Sequence, residues 1–78
     1  MRHEELTDRQ AYILRVIVDF IKTHPYPPSV RDIRTVTGIQ SNGHAIYMLT
    51  QLERKGYIKR ESRIARGITI LKLPEKTA

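Results

Sequence analysis

Seventy-eight residues and a mass of 9.1 kDa allow one small domain and exclude a large enzyme. Hydrophobic residues make up 40% and charged residues 28%, a composition that excludes a disordered chain. The sequence has no cysteine, which excludes a disulfide framework and a thiolate metal site. The formal net charge of +6 favours a polyanionic partner, and no apolar run reaches the roughly 20 residues of a membrane span. Because residues 1–5 lack the apolar core of a signal peptide, we expect a cytoplasmic protein. From the length we expect a single domain over residues 1–78.

The first predicted helix covers about residues 7–24. Thr7 and Gln10 have the spacing of a capping box, in which each side chain bonds the other residue's backbone amide. The helix ends at His24, because the residue before a proline avoids the helical conformation. Apolar residues recur at three- and four-residue steps and predict one buried stripe: Ile13, Leu14, Ile17, Val18 and Ile21.

Two shorter helices follow, at about residues 29–37 and 41–55. Their bounds are predicted by the N-caps Ser29 and Ser41 and by the stop residues Gly38 and Gly56. A pair of helices joined by a short turn that contains glycine has the spacing of a helix-turn-helix. An ordinary pair of well-capped antiparallel helices would have the same signature, so this pattern alone leaves both open.

The last segment, about residues 57–73, is rich in β-branched side chains and predicts a hairpin. We place its strands at residues 57–61 and 67–73, with Leu71 and Leu73 on the opposite face from Ile68 and Ile70, and a short polar tail at 74–78. The predicted fold is therefore α+β and mostly α: a three-helix winged helix-turn-helix with a C-terminal two-stranded β-hairpin wing.

The net positive charge is concentrated in this last third of the chain. Residues 1–53 contain equal numbers of basic and acidic side chains, whereas residues 54–78 contain eight basic and two acidic ones. Such asymmetry is typical of a surface that binds a polyanion. A solvated tail that only aids solubility is the alternative, although the charges alternate with strand-like apolar residues that would hold them in place.

The third helix has one face that is free to read DNA. A helical wheel predicts that Ala45, Met48, Leu49 and Leu52 form its buried stripe. Side chains near the N-terminus of a helix in the major groove contact base edges, for example Asn42 with adenine or Ile46 with a thymine methyl group. The alternative for Ile46 and Tyr47 is packing against the first helix. The predicted base-recognition residues are Ser41, Asn42, Gly43, His44, Ile46 and Tyr47.

A second set of residues is predicted to contact the DNA backbone, which positions a protein without specifying sequence. On the third helix this set comprises Thr50, Gln51, Arg54 and Lys55, and on the wing it comprises Lys59, Arg60, Arg63 and Arg66. The wing cations could lie along phosphates or enter a narrow minor groove, where arginine is favoured.

The chain resembles the N-terminal DNA-binding domain of LexA-type repressors over roughly residues 5–71. The matching motifs are LTDRQ at 6–10, YPPSVRDI at 26–33, Gly38, LERKGYIKR at 52–60 and RGI at 66–68. The resemblance implies a winged helix that represses transcription on a palindromic operator. By position it implies a base contact for Ser41 and backbone contacts at or near Arg9, Arg54, Lys55 and Arg66.

The chain departs from that family in two ways. Residues 42–47 do not follow the family's usual stretch, so the family's operator sequence is not expected to apply. No counterpart of the self-cleaving peptidase and dimerising domain follows residue 78, so we expect no self-cleavage and only weak or DNA-dependent pairing of two copies. Such a chain is a stand-alone relative or a domain of a longer repressor.

Other functions have little support in the sequence. His3, His24 and His44 lack metal-ligand spacing, and there is no phosphate-binding loop or catalytic triad, so we expect no metal, cofactor, small-molecule ligand or enzymatic activity. The main alternative is a winged-helix module that binds another protein or structured RNA. We predict instead a cytoplasmic, nucleoid-associated regulator, of bacterial or phage type, that binds double-stranded DNA.

Overall fold

The computed structural model describes residues 6–61 and 66–73. In chain order it contains α1 (Asp8–Thr23), α2 (Val30–Thr37), α3 (Asn42–Arg54), β1 (Ile58–Arg60) and β2 (Ile68–Ile70). The predicted fold class, a mostly helical winged helix-turn-helix, is confirmed. The predicted polar tail at 74–78 lies outside the described residues.

Side-chain caps begin each of the helices. At α1, Thr7 Oγ1 accepts from the Gln10 amide at 3.1 Å, and Gln10 Oε1 accepts from the Thr7 amide at 3.0 Å, as the predicted capping box requires. Ser29 and Asp32 form the same reciprocal pair at α2. Ser41 Oγ accepts from the His44 amide at 3.0 Å and begins α3.

Glycines in the left-handed conformation follow α2 and α3. Gly38 has φ 82° and Gly56 has φ 85°, values that a side chain would make costly. The Gly38 amide donates to the Arg34 carbonyl at 2.8 Å and closes the last turn of α2. These stops set the short turn 38–41 that brings α3 into position.

The wing is a two-stranded antiparallel sheet in which Ile58 pairs with Ile70 and Arg60 with Ile68. The prediction that the second strand continues to residue 73 is wrong. The amides of Leu71 and Lys72 both donate to the carbonyl of Tyr57, at 2.8 and 3.2 Å. Two residues opposite one form a bulge that ends the regular pairing, and Leu71 and Leu73 are exposed.

The core lies between the helices and the inner face of the wing, and it holds the helices and the wing together in one rigid unit. The stripe predicted for α3 is buried as expected, whereas in α1 Val18 and Ile21 are only half-buried. The core cluster of buried residues comprises Ile13, Leu14, Ile17, Ile33, Ile39, Ala45, Met48, Leu49, Leu52, Tyr57, Ile58 and Ile68.

Candidate nucleic-acid interface

The core packing turns the opposite face of α3 toward solvent. With Ala45, Met48, Leu49 and Leu52 buried, every residue predicted to read bases lies on the exposed side or at the exposed start of the helix. Tyr47 is 58% exposed and Ile46 is 39% exposed, so packing against α1 does not account for them. The six exposed residues are Ser41, Asn42, Gly43, His44, Ile46 and Tyr47.

Two of these residues also bond within the protein. Ser41 Oγ accepts from the His44 amide, which leaves its hydroxyl hydrogen to donate to another group. Asn42 Oδ1 accepts from Arg34 Nη1 at 2.8 Å. The geometry of both side chains is therefore set before any ligand arrives.

The residues predicted to contact the DNA backbone fall into several environments. Arg9, Arg54 and Lys59 are exposed, whereas Gln51, Thr50 and Arg60 are half-buried. The Thr50 hydroxyl donates to the Ile46 carbonyl at 2.8 Å, so its hydrogen is used inside the helix. Arg63, the predicted tip of the wing, lies outside the described residues. The exposed cations are the ones that a phosphate can reach without rearrangement.

Lys55, at the C-cap of α3, is held within the protein. Its Nζ donates to Gln10 Oε1 at 2.7 Å, the same oxygen that accepts from the Thr7 amide. The contact joins the end of α3 to the capping box of α1. A phosphate contact by Lys55, as predicted from the sequence, would have to be made while the ammonium group also holds Gln10, or after this bond is broken.

Arg66 anchors the second wing strand to the segment before α2. Its Nη1 donates to the Pro27 carbonyl at 3.0 Å and to Asp32 Oδ2 at 2.6 Å, and its guanidinium lies 4.3 Å from the centre of the Tyr26 ring. The Ser29 backbone amide, and to a smaller extent the Arg66 guanidinium, lower the pKa of Asp32. The charge of Arg66 is thus partly compensated by a carboxylate.

Three neighbouring aromatic rings extend the contacts of Arg66 from Tyr26 toward α1. The His24 ring stacks on Phe20 with centroids 3.7 Å apart, and the Tyr26 ring is tilted against both. Arg66 therefore connects the wing to the C-terminal end of α1 as well as to α2. The contacts fix the wing relative to α1 and α2.

Sequence reasoning missed Arg34, in the second half of α2. Its guanidinium donates from Nε to the Ile39 carbonyl at 3.3 Å, from Nη2 to the Gln40 carbonyl at 2.9 Å and from Nη1 to Asn42. Arg34 lies in the part of the chain where positive and negative charges balance, and nothing in its spacing marks it. Only the folded turn brings these acceptors together around one side chain.

Across residues 6–61 and 66–73, no group of three or more His, Cys, Asp or Glu side chains could hold a metal ion. Within that part of the chain, none of the helices has the length and apolarity to cross a bilayer.

Comparison with known proteins agrees with this geometry. The family model described as LexA DNA binding domain matches residues 3–67. The LexA repressor of Pseudothermotoga lettingae is 47% identical over 72 residues, which are 92% of this chain and 35% of that protein. That of Roseiflexus sp. is 43% identical over 67 residues, 86% and 31% of the two chains. That of Corynebacterium diphtheriae is 39% identical over 71 residues, 91% and 30%. The chain thus spans about a third of the length of these curated relatives.

Proposed function

This chain belongs to the LexA DNA-binding domain family, and from that premise we propose that it binds double-stranded DNA sequence-specifically and represses transcription. The family does not favour the alternative of a module for protein or structured RNA. In this proposal the protein acts at the bacterial nucleoid by occupying promoter DNA. It requires no catalysis and no cofactor.

The observation that carries the proposal is the exposed N-terminal half of α3. Its backbone is held by a side-chain cap at Ser41, and its inner face is buried in the core, so the helix is a rigid element. Side chains that differ in donor, acceptor and apolar character stand on the outer face, which is the composition that base edges in a major groove require. The exposed Arg9, Arg54 and Lys59 then bind phosphates on either side.

We further propose that two copies bind a site with two-fold symmetry. A single small domain buries little surface on DNA, so the affinity per copy is low and pairing depends on the DNA. In this arrangement two copies of the domain select the two halves of a palindromic operator.

The experiment that tests the function is selection of bound sequences from a pool of random duplexes. We expect enrichment of a two-fold-symmetric motif, with no comparable enrichment from an RNA pool. Binding should weaken steeply with salt, because each neutralised phosphate contributes about −0.9 to the log–log slope, or about −3 for three cations. A pool that remains random after several rounds would overturn the proposal.

Replacement of Tyr47 by alanine tests which face of α3 reads DNA. Because Tyr47 is exposed on the outer face, Tyr47→Ala should cost about 1–3 kcal/mol on the selected site and relax the preference at particular base pairs. Arg54→Ala is the contrasting variant: it should weaken binding to all sequences and reduce the salt slope by about 0.9. Fluorescence anisotropy at several salt concentrations measures both. If Tyr47→Ala acts uniformly and Arg54→Ala selectively, the surface has been placed wrongly.

A further inference from the structure

The guanidinium of Arg34 determines how Asn42 is presented. An arginine side chain has hydrogen-bond donors only, so the carboxamide atom that faces Nη1 at 2.8 Å is the oxygen Oδ1. The amino group Nδ2, which is bonded to the same Cγ atom as Oδ1, is then directed away from Arg34. Asn42 is the first residue of α3 and is exposed, so it offers its N–H donors to a ligand at the start of the helix.

The capping of α2 and α3 does not require the contact between Arg34 and Asn42. The Gly38 amide already closes α2 on the Arg34 carbonyl, and Ser41 Oγ already caps α3. A cation at the N-terminus of a helix is also unfavourable, because it lies next to the positive end of the helix dipole. Helix capping therefore does not account for the guanidinium at the start of α3. Two of its bonds hold the carbonyls of the turn, at Ile39 and Gln40, and the third orients Asn42.

The orientation changes what Asn42 can recognise. A bidentate pair with adenine, as expected from the sequence, needs Oδ1 to accept from N6 while Nδ2 donates to N7. Here Oδ1 is turned toward the Arg34 guanidinium, from which it accepts a charge-assisted bond. The oxygen keeps a second lone pair, but the bidentate pair would require the carboxamide to turn away from Arg34. The available donors suit base edges that carry acceptors, such as guanine N7 and O6.

We propose that Arg34 is a positioning residue that sets the base specificity of Asn42 by holding its carbonyl oxygen and leaving its amide donors for DNA. The inference rests on the proposed DNA-binding function. In each half-site, Asn42 held by Arg34 reads one base pair, and guanine is preferred over adenine on the contacted strand. Arg34 itself contacts neither base nor phosphate.

The test is site selection by the full chain and by the variants Arg34→Ala, Asn42→Ala and the double variant. Asn42→Ala should lose the preference at one base pair. Arg34→Ala should shift that same base pair toward adenine by about tenfold, because the carboxamide can then rotate and turn Oδ1 toward adenine N6 for the bidentate pair. The double variant should match Asn42→Ala there. In Arg34→Ala, the slope of log affinity against log salt should not become shallower by the 0.9 that a lost phosphate contact would cause.

Arg31→Ala is the matched control. Arg31 is exposed on the same helix and lines the same shallow polar concavity as Arg34. Its loss removes an equal charge but leaves the bonds of turn 38–41 in place, so base preferences should not change. If Arg31→Ala and Arg34→Ala alter selection equally, or if Arg34→Ala weakens all sequences alike and leaves the base preferences unchanged, the inference is overturned.

A measurement without DNA separates this inference from the proposed function. In ¹⁵N NMR spectra, Arg34→Ala should move the side-chain amide signals of Asn42, and Arg31→Ala should not. Arg34→Lys serves if the alanine variant does not fold, because a single ammonium nitrogen cannot replace donors that sit on three separate guanidinium nitrogens. A wild-type chain that enriches no duplex defeats the function. Enrichment with an unchanged profile in Arg34→Ala or Arg34→Lys, or unmoved Asn42 signals, defeats the inference alone.

Discussion

Arginines fix both ends of the candidate DNA surface, but they do so with different partners. At the start of α3, Arg34 bonds two backbone carbonyls and a neutral carboxamide. At the base of the wing, Arg66 bonds the carboxylate of Asp32, the Pro27 carbonyl and the face of Tyr26. Neither guanidinium is simply a free charge on the surface.

The difference decides where positive potential remains. The charge of Arg34 is not opposed by a carboxylate among its bonded partners, so it adds to the positive end of the α3 dipole and attracts a polyanion. The charge of Arg66 is partly cancelled by Asp32, which makes its contribution mainly structural. A count of basic residues therefore overstates the attraction of the wing and understates that of the helix-turn-helix.

Removal of the Arg66 side chain should have the largest effect on folding. Arg66→Ala deletes a charge-assisted bond, a bond to the Pro27 carbonyl and the contact with Tyr26. Because the ion pair is partly exposed, we expect a loss of about 1 kcal/mol in the free energy of unfolding and a fall in Tm of roughly 4–8 °C. Thermal unfolding followed by circular dichroism measures it.

Lys59→Ala is the control for that measurement, since Lys59 is exposed in the same wing. Its stability should stay within about 0.5 kcal/mol of wild type. Its DNA affinity should nevertheless fall with a shallower salt slope. If Lys59→Ala lowers Tm as much as Arg66→Ala, the anchor has no structural importance and the comparison between the two arginines fails.

The ring under Arg66 should contribute less. Tyr26→Leu removes the face that the guanidinium covers at 4.3 Å, an interaction of about 0.5–1 kcal/mol at an exposed site. Tyr12→Leu is a matched control, because Tyr12 and Tyr26 are both 42% exposed. A double-mutant cycle of Tyr26→Leu with Arg66→Ala, measured by urea unfolding, should show coupling. Equal losses in the two tyrosine variants, with additive free energies, would contradict the assignment.

Local rules predicted most of the fold. The caps at Thr7, Ser29 and Ser41, the stop at Gly38 and the buried stripe of α3 each depend on residues within a few positions of one another, and each is present in the structure. The end of β2 could not be predicted in the same way. It depends on the carbonyl of Tyr57, which is distant in sequence and captures two amides at once.

The candidate site was predictable where exposure alone mattered. A helical wheel is sufficient to place Tyr47 and Ile46 outward, and both are exposed. It is not sufficient for charges, since Lys55 and Arg66 bond partners 45 and 39 residues away. Long flexible cationic side chains reach acceptors that only the tertiary structure supplies. The contacts of Arg34 could not be predicted from the sequence for the same reason.

The smallest expected effect is the pH dependence of the wing anchor, and it has a definite sign. The pKa of Asp32 in the folded protein is lowered from its ordinary value of 3.8, mainly by the Ser29 backbone amide, with Arg66 adding to the effect. Ionised Asp32 therefore stabilises the fold above pH 3.8, and this contribution is lost as the pH falls through the folded pKa. Asp32→Asn removes the charge but keeps an acceptor for the Ser29 amide.

The difference in Tm between wild type and Asp32→Asn should consequently be largest near neutral pH and narrow below pH 3.8. In an Arg66→Ala background the difference should shrink only in part, because the Ser29 amide, the largest cause of the lowered pKa, is still present. Scanning calorimetry at several pH values measures both differences. A difference that stays constant with pH would show that Asp32 does not hold its charge against Arg66, and the contrast between a compensated and an uncompensated arginine would no longer stand.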